Sequence, residues 1–181
     1  MKLVLALSVA LAVAALPPSP QSTPAAAKPV IVMQTDQGTF EIELFPAEAP
    51  KSVAHLIDLL KRDFYRGFRF HRVTPPLVQI GDPQSRNVQR ENMWGTMGSG
   101  SPIGVAEISK TRKHVRGTVG LAHSGDARFA DSQIYIMKVA SPSLDGKHAI
   151  IGQVVKGIEV VDKIQKADVL KLAALKTAAT K

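Results

Sequence analysis

Short runs of alternating apolar and polar residues recur along this chain and constrain its fold more than any other feature. In the run 39–44, Phe40, Ile42 and Leu44 alternate with two glutamates. Successive side chains of a β-strand point to opposite faces, so this run has one buried and one wet face. Further β-rich runs lie at 30–33, 117–123, 132–139, 149–155 and 169–175. Many short antiparallel strands predict a β-barrel, whose closure removes exposed strand edges.

Only two segments have helical spacing. The first is opened by Pro50, carries an apolar stripe that ends at Phe64, and is expected to stop at Gly67. The second is predicted at 157–166. A hairpin is predicted at residues 36–38, where a glycine supplies positive φ. The segment 102–108, which contains a glutamate, is expected to hold a short strand.

The stretch 68–83 concentrates the unusual chemistry of the chain. Strand alternation puts Phe68, Phe70 and Arg72 on one face, so a guanidinium ends a row of aromatic rings. Two consecutive prolines then turn the chain, and a short apolar run ends in the amide of Gln79. Because no acid adjoins the arginine and the stretch contains no serine or cysteine nucleophile, it predicts a site that binds and polarises a group without covalent chemistry.

Two later strands carry further candidate functional features. In 132–139, period two places Gln133 and Tyr135 on the outward face and the two isoleucines in the interior. In 117–123, the face that holds Gly120 and Ala122 has only small side chains. This face predicts a shallow groove where a ligand backbone can approach closely.

Composition excludes several classes of protein. The chain has 181 residues, which suits one globular domain with a sizeable core. Its formal charge is +8, but the basic residues are scattered, so a surface in contact with solvent is favoured over a nucleic-acid-binding tail. It contains no cysteine, which excludes disulfides, thiolate metal sites and a lipidated N-terminal cysteine.

Residues 1–27 predict a signal peptide and a Pro/Ala-rich linker. A basic start precedes an apolar run at 3–16, which is shorter than the roughly 20 residues of a membrane span. Small residues at 12–14 or 25–27 offer cleavage sites, whereas an uncleaved leader would tether the domain to the membrane. The sequence therefore predicts a periplasmic or secreted protein with one domain at 28–181, no lipid anchor and no membrane association beyond export.

Six motifs stand in an order and spacing that match a known family. They are Phe70-His71-Arg72, Gln79 to Asp82, Arg116 to Ala122, Ser132-Gln133, Leu144 to His148, and Gly152 to Ile164. In these motifs the chain resembles the cyclophilin family of peptidyl-prolyl cis-trans isomerases, in an exported bacterial form. The resemblance covers residues 30–175. It implies a mainly β fold, a closed eight-stranded antiparallel β-barrel capped by two α-helices, with the active groove on the outer surface.

The resemblance also implies the site residues. The catalytic arginine of the family falls on Arg72, and the groove glutamine falls on Gln133. Other substrate-binding positions fall on Gln79, Leu77, Val78, Tyr135, Ala122, His123, Leu144 and His148. The family usually has phenylalanine and methionine where this chain has Leu77 and Val78, and this chain is one residue shorter before Gln79.

The implied partners are proline-containing segments of unfolded or folding proteins. The enzyme would rotate X-Pro bonds, assist the folding of exported proteins, act as a monomer, and need no cofactor or metal. Ser143 stands where many members have a tryptophan that contributes to cyclosporin binding. Weak cyclosporin binding is therefore predicted.

Four other functions each fit some features of the sequence. A weakly active or non-catalytic chaperone barrel that grips proline segments is favoured by the altered pocket. Residues 66–70 resemble part of an RNA-recognition signature, but Arg69 and His71 do not fit it. The histidines lack close ligand spacing for a metal. A hydrolase based on Ser124 lacks an elbow or oxyanion motif.

Overall fold

A computed structural model describes residues 28–176, so the predicted leader and most of the linker lie outside the described residues. The strands of this part are β1 (Val30–Thr35), β2 (Gly38–Leu44), β3 (Arg72–Val73), β4 (Leu77–Ile80), β5 (Thr118–Leu121), β6 (Ile134–Met137), β7 (Ile150–Lys156) and β8 (Leu170–Leu175). The α-helices are α1 (Pro50–Lys61) and α2 (Ile158–Lys163). None of these helices has the length and apolar character of a membrane span.

All eight strands belong to one antiparallel sheet, in the order β3-β4-β6-β5-β7-β2-β1-β8. The two end strands do not pair with each other. An isolated bridge between Arg69 and Val169 joins the ends instead, and the Leu170 amide donates to the Phe68 carbonyl at 2.8 Å. The predicted fold class is confirmed, but the sheet is a curled half-barrel and not the closed barrel that was predicted.

The core lies inside the curl and under α1. Phe40, Ile42 and Leu44 are fully buried, as the alternation predicted. The hairpin between β1 and β2 is also confirmed, and Gly38 has φ +129, where a side chain would be strained. Leu56 and Leu59 of α1 are buried against the same core.

Two local predictions were wrong. The first helix ends at Lys61 rather than Gly67, because Asp63 adopts φ 55 and the chain leaves the helical path there. The segment 102–108 forms no strand. Its Glu107 carboxylate accepts hydrogen bonds from the backbone amides of Lys51 (3.0 Å) and Ser52 (2.8 Å), which caps a helix whose own N-cap residue supplies no side-chain bond.

The second helix is confirmed but shorter than predicted. It ends at Lys163 rather than Lys166, and Val161 and Ile164 are fully buried as expected. It packs against β2.

Candidate active groove

Four residues form a row across the outward face of the sheet. Arg72 on β3 pairs opposite Gln79 on β4, Gln79 pairs opposite Tyr135 on β6, and Tyr135 pairs opposite Gly120 on β5. Directly opposed residues share a face, and neighbouring strands lie about 4.8 Å apart. The guanidinium is therefore anchored about two strand spacings from the phenol ring.

A hydrogen-bonded chain orients the polar members of the site. Arg72 Nη1 donates to Gln79 Oε1 at 3.3 Å, and Gln79 Nε2 donates to Gln133 Oε1 at 2.8 Å. Gln133 Nε2 then donates to the carbonyls of Gly95 (3.0 Å) and Met97 (2.8 Å). Arg72 itself is exposed. The structure therefore brings Arg72, Gln79 and Gln133 together, with the arginine on the solvent side.

A small apolar cluster, separate from the main core, lies beside this chain and is the candidate slot for a proline ring. In it, Leu77, Tyr135 and Met137 are buried, and Ala122 and Leu144 are half-buried. Leu77 and Tyr135 are only 6% and 3% exposed, so the slot is shallow. Met137 was missed, although period two in β6 places it with Gln133 and Tyr135.

Val78 does not belong to the site. It pairs opposite Ile136, is fully buried and packs in the main core, so its assignment to the pocket was wrong. The prediction that Phe68, Phe70 and Arg72 share one face was also wrong. Phe68 and Phe70 are fully buried in the core, whereas Arg72 is exposed, because β3 begins only at Arg72 and the alternation does not extend back to the phenylalanines.

The small-residue face of β5 forms no groove at Gly120. A Cβ at Gly120 would overlap Cζ and the hydroxyl oxygen of Tyr135. The tyrosine ring from the neighbouring strand therefore occupies the space that the glycine leaves. Ala122, two residues later, does line an open groove.

That groove has a volume of about 470 Å³. Gln79, Gln133, Ala122 and His123 line it near the site, and Met97 and Phe129, both well exposed, line it further out. The last two lie outside regular strands, so no alternation pattern identified them. A second cavity, of about 630 Å³, contains none of the predicted site residues, and its Arg112 is paired with Glu48.

Two carboxylates hold the outer wall of the groove. Asp82 accepts hydrogen bonds from the amides of Gly95 and Met97, and Asp131 accepts from Ser99 Oγ, the Gly100 amide and His55 Nε2. Burial alone raises the pKa of Asp131, but the hydrogen bonds from His55, Ser99 and Gly100 together lower it below its usual value. Asp131 is therefore a stable anion that fixes this wall.

The two predicted site histidines contact each other. The ring centroids of His123 and His148 are 4.2 Å apart. His123 Nε2 donates to the Lys147 carbonyl at 3.1 Å, and His148 Nδ1 donates to the Leu121 carbonyl at 3.2 Å. Burial lowers the pKa of His148. Within residues 28–176, no group of three or more potential ligands is placed to hold a metal ion.

Comparison with known proteins identifies the family. The family model for cyclophilin type peptidyl-prolyl cis-trans isomerases matches residues 30–179. The chain is 38% identical to a probable peptidyl-prolyl cis-trans isomerase of Brucella suis, over 85% of this chain and 81% of that protein. It is 34% identical to a peptidyl-prolyl cis-trans isomerase of Helicobacter pylori, over 77% of this chain and 82% of that protein.

A crystal structure shares the fold. The cyclophilin type isomerase of Cryptosporidium parvum superposes with a TM-score of 0.72 and 22% identity, over 83% of this chain and 99% of that chain. A second crystal structure of that protein, in the presence of the dipeptide Ala-Pro, gives a TM-score of 0.70 at 21% identity, over 82% of this chain and 99% of that chain. The fold and the sequence matches agree, and this chain belongs to the cyclophilin-type peptidyl-prolyl cis-trans isomerases.

Proposed function

We propose that Arg72 catalyses the rotation of X-Pro bonds by donating a hydrogen bond to the proline nitrogen. Amide resonance keeps that bond planar, and rotation crosses a barrier of roughly 20 kcal/mol. In the twisted state the nitrogen regains its lone pair and becomes an acceptor. A donor aimed at it stabilises the transition state and does little for either planar isomer, which is the condition for catalysis. Guanidinium suits this role because it stays protonated and offers several fixed donors.

The neighbouring residues hold the peptide while the bond turns. The proline ring packs on the slot formed by Leu77, Tyr135 and Leu144, with His148 beside it. Gln79 and Gln133 orient the guanidinium and bind the flanking peptide, and the backbone around Ala122 and His123 anchors the residues that precede the proline.

The observation that carries this proposal is the row Arg72–Gln79–Tyr135, which sets a donor beside an apolar slot on one face of the sheet. The test is kcat/KM for a proline peptide in a protease-coupled assay. Arg72→Ala is expected to lower kcat/KM by a factor that corresponds to about 2–4 kcal/mol of transition-state stabilisation, the scale for one preorganised donor. Its melting temperature should be unchanged. The kcat/KM of Arg72→Lys should lie between those of the wild type and Arg72→Ala. An unchanged rate in Arg72→Ala would exclude the catalytic role.

A second candidate is a weakly active or non-catalytic chaperone that binds proline segments. The observation that favours it is the shallow slot, because its wall residues Leu77 and Tyr135 are almost covered. Binding of a proline peptide without turnover would support this candidate. Turnover that depends on Arg72 would contradict it.

The site of action is proposed to be the periplasm or the exterior of a bacterial cell. The support is the basic and apolar start of the sequence, followed by its Pro/Ala-rich linker. N-terminal sequencing of the mature protein from fractionated cells tests this. A start near residue 15 or 28 in the exported fraction is expected, and a full-length chain confined to the cytosol would contradict it.

Cyclosporin is proposed to bind weakly, and the protein to act as a monomer. Ser143 is exposed and too small to replace the tryptophan on which the family relies. Sub-micromolar inhibition of the wild type would contradict the first statement, and Ser143→Trp is expected to increase inhibition. A dimer in size-exclusion chromatography with light scattering would contradict the second.

A further inference from the structure

A chain of three polar side chains lies next to the slot; Tyr135 and His114 are buried and Asp145 is half-buried. Tyr135 Oη and His114 Nε2 are 2.8 Å apart, and His114 Nδ1 and Asp145 Oδ1 are 2.9 Å apart. The backbone amide of His114 donates to the same carboxylate oxygen at 2.8 Å. The His114 side chain is 0% exposed. None of the motifs predicted this contact, since His114 lies in the loop before β5 and Asp145 in the loop after β6, where no strand alternation applies.

The charge states of the two ends give the chain a direction. Hydrogen bonds from the His114 backbone and side chain lower the pKa of Asp145, so the carboxylate is ionised and accepts from Nδ1–H. Burial raises the pKa of the Tyr135 phenol well above its usual value, and the Asp145 charge adds to this effect. The phenol therefore keeps its proton. With Nδ1–H donated to the carboxylate, Nε2 accepts from the Tyr135 O–H.

The chain ends on the ring that forms the slot wall. That ring fills the space above Gly120, stands edge-on to His148 with centroids 5.7 Å apart, and packs with Leu77 and Met137. The hydroxyl on this ring is bonded to the buried His114, so the slot wall and the histidine are directly linked.

The other end lies in the turn that carries two more slot residues. Asp145 directly follows Leu144, and the turn continues to His148. His114 also holds the start of this segment, because its carbonyl accepts from the Ser141 amide at 2.8 Å. The buried His114 side chain thus connects the Tyr135 ring on β6 with the loop that carries Leu144.

We propose that Asp145, His114 and Tyr135 form a positioning chain that fixes the distance between the two walls of the proline slot. The proposal rests on the assignment of Tyr135 and Leu144 to that slot. His114 and Asp145 touch no substrate. They act through the tyrosine ring and the 141–148 loop, so they set peptide affinity rather than the rate of bond rotation.

The test separates affinity from rotation. Peptide affinity is measured by NMR titration with a proline peptide, and the rotation rate by exchange spectroscopy at saturation. Tyr135→Phe and His114→Gln are each expected to weaken affinity by about fivefold, the effect of roughly one buried hydrogen bond, with the saturated rate within twofold of wild type. The double variant should lose no more than the worse single variant, because each change breaks the same chain.

The matched control is Tyr65→Phe, which removes another buried tyrosine hydroxyl, bonded to the Ser132 carbonyl at 2.7 Å. It should lower the melting temperature and leave peptide affinity unchanged. Equal affinity in wild type and Tyr135→Phe, or losses that add in the double variant, would overturn the positioning chain. Arg72→Ala, measured alongside, reports separately on the catalytic proposal. If Arg72→Ala loses the expected rotation rate and Tyr135→Phe has no effect on affinity, the positioning chain is rejected and the catalytic proposal stands.

Discussion

Strands β4 and β6 each present two faces with different surroundings, because alternate residues point to opposite sides of the sheet. The inward face, with Val78, Ile134 and Ile136, is apolar and packed in the main core. The outward face carries a slot residue, Leu77, and the hydrogen-bonded glutamine Gln79. A one-residue step along either strand therefore separates the main core from the candidate groove, and substitutions on the two faces should have separable effects.

The largest expected effect lies on the inward face. Ile136→Ala should lower the free energy of unfolding by about 2–5 kcal/mol, because it opens a cavity in a fully buried position. Chemical denaturation measures this. The kcat/KM of the folded variant should stay at the wild-type value. A large loss of activity without a loss of stability would break the comparison.

Leu77 tests the outward face. Leu77→Ala should raise KM about tenfold with little change in kcat, because it removes apolar contact that both planar isomers and the twisted state share. Val78→Ala is the matched control from the adjacent, core-facing position. It should lower stability and leave KM unchanged. The same KM change in both variants would show that the two faces are not functionally distinct.

The sequence predicted correctly the residues whose positions follow from strand alternation. Period two placed Gln133 and Tyr135 outward, and the structure agrees. Val78 was assigned to the pocket from the family resemblance, in a segment where this chain is one residue shorter, but it pairs opposite Ile136 and faces the core. Gly120 was misjudged because its space is filled by a neighbouring strand, and pairing between strands has no local sequence signal. His114 and Asp145 escaped for the related reason that loops have no period.

Gln133 tests the polar part of the outward face. Gln133→Ala should lower kcat/KM by about 1 kcal/mol, or roughly fivefold, because Gln79 and the carbonyls of Gly95 and Met97 lose a partner. Gln153→Ala is the control, since Gln153 Nε2 donates to the Arg116 carbonyl at 2.8 Å, outside the groove. An equal effect of both variants would mean that the loss is general.

The smallest expected effect is that of acid on the groove wall. The pKa of Asp131 is lowered in the fold, so the unfolded chain binds more protons as pH falls below about 3.8, the usual aspartate value. The stabilisation by Asp131 is present above that pH and is lost as pH falls through its lowered pKa. NMR chemical shifts of residues 99–101 should respond to acid through this range. Asp131→Asn should remove that response, and an unaltered titration in the variant would contradict the assignment.

The central claim is that Arg72 favours the twisted X-Pro bond over both planar isomers. Exchange spectroscopy of a saturating Ala-Pro peptide measures this most directly, since it gives the rate of cis–trans exchange on the enzyme apart from binding. Arg72→Ala should bind the peptide with nearly wild-type affinity and lose most of the exchange. Wild-type exchange at saturation, with only the affinity reduced, would contradict the claim.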